Sequence, residues 1–198
     1  MALRELRYNT YVNRSTPLLD TALRDTIVFM LLVYRVLRKK YSRAPFDGEG
    51  AYRYGGRWSS PGIRLSYASE HQSLAMLEYF VHLDKDDPPG DLVLAIAEVP
   101  DNLTRERIEA RDLPPSWRES AAPLELARFG DEFAERGEHC LLLVPSVLAP
   151  SEYNCLINPG HPGYRRIVVR DVEPLSYDAR MFKKQAIGHR RGKRRTAL

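Results

Sequence analysis

The 198-residue chain has little cysteine, no long apolar run and none of the common nucleotide or hydrolase motifs. Only Cys140 and Cys155 occur, and they form no Cys-x-x-Cys, which excludes a zinc ribbon and a thioredoxin-type redox motif. Such sparing use fits a reducing compartment. His139, Cys140, Cys155 and His161 match no zinc spacing, so no metal is expected. The longest apolar run, Ile27 to Val33 with a weak extension to Leu37, is too short to cross a bilayer. No charged-then-apolar leader opens the chain, because residues 1–25 are polar and broken by charges; the expected location is the cytoplasm, with no membrane contact. Gly-x-Gly-x-x-Gly, P-loop and Gly-x-Ser-x-Gly motifs are missing, which leaves a Rossmann unit, a P-loop enzyme and an α/β-hydrolase without support. No His and Asp spacing completes a serine triad.

Acids are missing from the C-terminal end. Residues 180–198 carry eight basic residues and no acid, so the formal net charge of +4 divides into +8 there and −4 over the rest. The body is mildly acidic, and a basic nucleic-acid-binding face on it is not expected. The tail reads as a solvated terminus; contact with nucleic acid or an acidic partner is the alternative.

What is present is globular: 43% hydrophobic and 28% charged residues place the chain among ordinary folded domains. Strands are predicted at Ile27–Leu37, Leu65–Ala68, Asp91–Val99, His139–Val144 and Arg165–Arg170. Helices are predicted at Ser69–Leu83, opened by a Ser69-x-x-Gln72 capping box, and at Pro123–Arg136, closed by Gly137. Residues 42–62, rich in glycine and aromatics, read as a long ordered loop. The expectation is an α+β domain around a central sheet, with residues 1–26 as an N-terminal arm, 27–182 as the domain and 183–198 as a basic tail.

Some residues do not suit this framework. In the first helix, positions 74, 77, 78 and 81 share a face, which sets Glu78 among Leu74, Leu77 and Val81. A carboxylate in an apolar stripe needs a partner or a cleft. Position alone leaves open a buried ion pair with an arginine or a functional acid. Arg35, Arg53 and Arg57 lie among Tyr34, Tyr52, Tyr54, Trp58 and Tyr67. Arginine forks suit phosphate oxygens and aromatic faces suit a flat ring, so a nucleotide-shaped site is one reading; arginines lying over exposed tyrosines is the other. Gly55 and Gly56 make a turn or admit a ligand close to the backbone. Ser146 follows a proline at a strand end, where functional side chains are often displayed.

Taken in order, Tyr34-Arg35, Gly48-Glu49-Gly50-Ala51, Gly55-Gly56-Arg57-Trp58, Leu65-Ser66-Tyr67, Leu77-Glu78, Val144-Pro145-Ser146 and Asn158-Pro-Gly-His-Pro162 resemble the RES-domain family, toxins of RES–Xre toxin–antitoxin pairs. The likeness runs from about Val33 to Phe182. Ser59 departs from it, standing where many members have Asn. The resemblance implies an ADP-ribosyltransferase-like split sheet and an activity on NAD+: its breakdown with water or phosphate, or transfer of ADP-ribose to a protein. It implies that Arg35 and Arg57 hold phosphates or ribose, with Arg53 a further candidate. Tyr67 would orient the nicotinamide end, Glu78 would be the catalytic carboxylate, and Ser146 would contact the nicotinamide side. It also implies an Xre-like helix-turn-helix antitoxin as partner in a hetero-oligomer; that partner, not this chain, would read DNA. Competing readings are a nucleic-acid-directed protein acting through the tail and a catalytically dead NAD-binding domain.

Overall fold

The computed structural model describes residues 30–84 and 86–182. The expected arm at 1–26 and tail at 183–198 lie outside the described residues. The elements are β1 (Met30–Arg38), α1 (Glu49–Tyr54), β2 (Ser66–Ser69), α2 (Gln72–Phe80), β3 (Leu92–Pro100), β4 (Arg105–Arg107), α3 (Leu124–Arg136), β5 (Leu141–Pro145), β6 (Tyr153–Ile157) and β7 (Val168–Leu175), joined by short 3₁₀ turns.

The strands form one sheet in the order β4-β5-β6-β2-β1-β3-β7, antiparallel except for the β4–β5 pair. Its decisive feature is a weak seam. β1 registers along its whole length with β3, from Met30↔Pro100 to Arg38↔Leu92. Against β2 it registers only at Tyr34↔Ser69. The halves therefore splay from one residue pair, and a cleft opens in the gap.

β3 is buried nearly throughout, as its two-sided apolar sequence requires. One core gathers Val33, Leu37, Phe46, Ala95 and Ile157. A second lies beneath α3 and joins Trp58, Leu65, Leu126, Phe133, Leu142 and Leu156. A smaller cluster of Val36, Ala75 and Leu94 seats α2 on the sheet.

Several expectations are corrected. Two strands and one helix are illegible in the sequence: β4 is only three residues long, β6 is interrupted by Asn154, and α1 sits inside the stretch read as loop. Ser69 does not cap α2. It is the last residue of β2, its hydroxyl bonds Asn154, and the helix starts after His71 without a side-chain cap. Residues Pro162–Arg166 form a 3₁₀ turn, so β7 starts only at Val168. The helix at Leu124–Arg136 ends as expected, with Gly137 at φ 61°.

Candidate active site

Alternation along β1 sends Val33, Arg35 and Leu37 to one face and Tyr34 and Val36 to the other. Arg35 therefore shares a side with an apolar core and must find polar company there. Its Nη1 donates to the Ser66 hydroxyl across the seam, and it has no ion-pair partner among the described residues. Burial pushes its pKa below the ordinary arginine value, and the field of Asp47 pulls it back up.

Glu78 comes from the opposite face. The helical stripe expected to face the core does not: Leu74 is buried, but Leu77 and Val81 are 37% and 47% exposed. α2 seats itself through Leu74 and Ala75, with Met76 and Tyr79 packed alongside. That rotation points Glu78 at the cleft, and no arginine among the described residues pairs with it. Oε1 instead accepts from Ser146 Oγ at 2.7 Å and from Asn154 Nδ2 at 2.6 Å. Oε2 has no hydrogen-bond partner among the described residues.

The cleft measures about 630 Å³ and is lined from both faces of the sheet. Tyr34, Arg35, Arg53, Tyr54, Tyr67, Ser69, Glu78 and Asn154 contribute to its wall. Its wall carries the basic groups of Arg35, Arg38, Lys40, Arg43 and Arg53 together with the carboxylates of Asp47, Glu49 and Glu78.

Tyr67 is clamped by a turn. Its hydroxyl accepts from Trp58 N at 3.1 Å and pairs with Ser59 Oγ at 2.9 Å. Burial raises its pKa, against the opposing pull of these bonds. Gly56 is required by this clamp: a Cβ there would stand 2.6 Å from the Tyr67 hydroxyl. The turn is closed by the Gly56–Ser59 bridge and tied to α3 through Ser60 N, which donates to Asp131 Oδ1 at 2.8 Å.

The other expected residues sit differently. Arg53 lies on the exposed side of α1 and pairs with Glu49 at 2.6 Å, one turn away. Arg57 spends its fork on two backbone carbonyls, Trp117 O and Glu119 O, each at 2.9 Å, and does not line the cleft. Burial lowers its pKa while Glu78 raises it, so the two charges feel each other. Ser146 has no accessible surface; its Oγ accepts from Leu148 N and Ala149 N and gives its one proton to Glu78. It stands behind the carboxylate rather than in the cleft. Arg64, not singled out in the sequence, lies over Tyr52 at 4.4 Å, so one arginine of this region does cover an exposed tyrosine. Asn154 is a further residue that sequence reasoning misses. Its only sequence signal is an amide inside an apolar strand.

A sheet split at one residue pair, with a cleft through the seam, is an α+β fold of the ADP-ribosyltransferase-like class. It matches a chain of the M. tuberculosis MbcT–MbcA toxin–antitoxin complex with a TM-score of 0.59, at 18% identity, over 76% of this chain and 86% of that one. The RES domain profile matches residues 32–178, and the chain belongs to the RES-domain family. Among its relatives is the Prs ADP-ribosylating toxin of Sphingobium sp. (strain YBL2), 38% identical over 74% of this chain and 92% of the relative. Toxin Res of Yersinia enterocolitica is 34% identical, over 74% and 95% respectively. Among the described residues no helix is long and apolar enough to cross a membrane.

Proposed function

We propose that this chain is the toxin of a toxin–antitoxin pair and that it breaks the bond between ribose and nicotinamide in NAD+. The observation that carries the reading is the chemistry of the cleft wall: Glu78 offers it an oxygen with no hydrogen-bond partner among the described residues, and Arg35 offers it a guanidinium that feels the field of Asp47 but has no ion-pair partner among those residues. A volume of about 630 Å³ suits a dinucleotide. Arg35 holds the pyrophosphate, assisted at the rim by Arg53 once Glu49 releases it. The Tyr67 ring, fixed at its hydroxyl, orients the nicotinamide riboside. Ser146 keeps Glu78 in place, and Arg57 secures the neighbouring loop and adds its field.

As the C1′–N bond breaks, its electron pair leaves with nicotinamide, which departs neutral and needs no acid. Positive charge grows on C1′ and the ring oxygen. Glu78 Oε2 stabilises that charge, or accepts from the ribose 2′-OH, and the bound dinucleotide itself displaces water that would screen the interaction. A nucleophile then donates an electron pair to close the C1′ valence and gives up its proton, where it carries one, to solvent. Water gives ADP-ribose, phosphate its phosphorylated form, and a protein side chain a modified protein. The name of the Sphingobium relative favours transfer to a protein. The partner is an antitoxin of Xre-like helix-turn-helix type, forming a hetero-oligomer in the cytoplasm and supplying the DNA contact. The catalytic unit is residues 27–182.

The test is nicotinamide release by purified protein beside Glu78→Gln, in buffer, with phosphate, and with cell extract. Wild-type release should exceed that of the variant by on the order of 10²–10³. Binding of NAD+ without release would mark a dead domain. Failure to bind NAD+ at all would remove the activity assignment.

A further inference from the structure

Glu78 rests on two donors, and they differ in kind. Ser146 is locked: both acceptor positions of its oxygen are used by the backbone N–H groups of Leu148 and Ala149, so its proton can go only to Glu78. The second donor, Asn154, stands on β6 in register with Ser69 of β2. Its Oδ1 accepts from Ser69 Oγ at 2.6 Å, and its Nδ2 donates to Glu78 Oε1 at 2.6 Å. Ser69 is itself the residue paired with Tyr34 at the only β1–β2 contact in register. The relay Ser69–Asn154–Glu78 thus runs from the seam of the sheet to the carboxylate. It also fixes which way round the amide lies, because a flipped amide would set a carbonyl oxygen against the carboxylate.

We infer that Asn154 is a positioning residue for the reaction: its amide, held by Ser69 at the strand seam, pins Glu78 Oε1 so that Oε2 alone faces the substrate. The inference rests on the NAD+-cleaving reading for its kinetic consequence, but not for its structural one. A carboxylate held by Ser146 alone can pivot about one bond. A displacement near an ångström at the reacting centre is enough to lower turnover about 10²-fold. Most of the substrate's contacts, to Arg35 at the pyrophosphate and Tyr67 at the riboside, do not run through Asn154, so its affinity is largely spared.

Asn154→Ala, Ser69→Ala and the double variant, each in the full chain, provide the test. Removing the amide alone orphans the buried Ser69 hydroxyl and weakens the fold; removing both relieves that defect. Expected are a fall in kcat for nicotinamide release of roughly 10–100-fold in Asn154→Ala, with KM for NAD+ changed less than about threefold. The double variant should recover thermal stability without recovering kcat. Recovery of both together would make Asn154 a merely structural residue and overturn the inference. The second measurement needs no turnover: crystal structures of wild type and Asn154→Ala under one condition. Glu78 should leave its single position on Ser146 in the variant, and an unchanged Glu78 would overturn the inference even if wild-type protein proved inactive on NAD+.

Discussion

Replacing Gly130 with alanine sets two physical effects against each other. Gly130 lies in the middle of α3, where alanine is the better helix former by about 1 kcal/mol. Propensity alone predicts a more stable protein. The packing predicts the reverse. A Cβ at position 130 would fall 1.8 Å from the Trp58 carbonyl oxygen and 3.0 Å from Leu65 Cδ1. The close atom is backbone, so no rotamer change relieves it; helix and turn must part by more than an ångström. Overpacking of this kind costs roughly 1–3 kcal/mol. The same movement breaks the bond from Ser60 N to the Asp131 carboxylate, worth roughly 1.5–3 kcal/mol. Against the helical gain, the net loss is about 3 kcal/mol. For a domain of this size that lowers Tm by roughly 6–12 °C. Gly50→Ala is the control, since Gly50 also lies in a helix but its added Cβ meets nothing within 4 Å. It should gain roughly 0.5–1 kcal/mol. Urea titration of wild type and both variants decides the matter. Gly130→Ala as stable as wild type would refute the claim that α3 is seated directly on the turn that anchors Tyr67.

Other outcomes follow from the same geometry. Gly56→Ala should cost roughly 1–3 kcal/mol of stability and reduce nicotinamide release about tenfold or more, because its Cβ displaces the buried Tyr67 hydroxyl from Trp58 and Ser59; steady-state kinetics below the melting transition, beside a melting curve, separates the two effects. Cys140 and Cys155 are buried, with the Cys140 thiol pushed up to about 11 and Cys155 higher still, both by burial. Neither should react with a disulfide reagent at pH 8 until the protein is unfolded. Glu70 is buried and its pKa is raised by that burial, against the pull of His71 and Arg107. The folded state therefore holds the proton more tightly than the unfolded one, and stability falls as pH rises from the ordinary carboxylate range through the raised value. Glu70→Gln should be more stable than wild type at neutral pH and lose that advantage near pH 4, as read from denaturant midpoints at the two pH values.

Arg35 and Glu78 stand out as anomalies in the amino-acid sequence alone, for a thermodynamic reason. A charge in an apolar stretch must be compensated or used, and that is visible in one dimension. The long, doubly buried β3 and the glycine stop after α3 are equally plain, because apolar run length and a left-handed cap are local properties. The ordered motifs from Tyr34 to Pro162 are enough to suggest the RES-domain family, to which the chain belongs.

Local sequence does not say which arginines are free. Arg35, Arg53 and Arg57 look alike in the chain, yet one faces the cleft with no ion-pair partner among the described residues, one is held by Glu49 a turn away, and one is consumed by carbonyls about sixty residues further on. Guanidinium availability depends on which acceptors the fold delivers, and those are distant in sequence. The orientation of Glu78 is of the same kind: a nine-residue helix can roll, and packing through Leu74 and Ala75 chose the roll. Composition and periodicity determined an α+β domain with a carboxylate and an arginine that did not belong in its core. Only the single-pair seam between β1 and β2 brought those two charges, from opposite faces of the sheet, to one cleft, because strand register is set by contacts that no single strand contains.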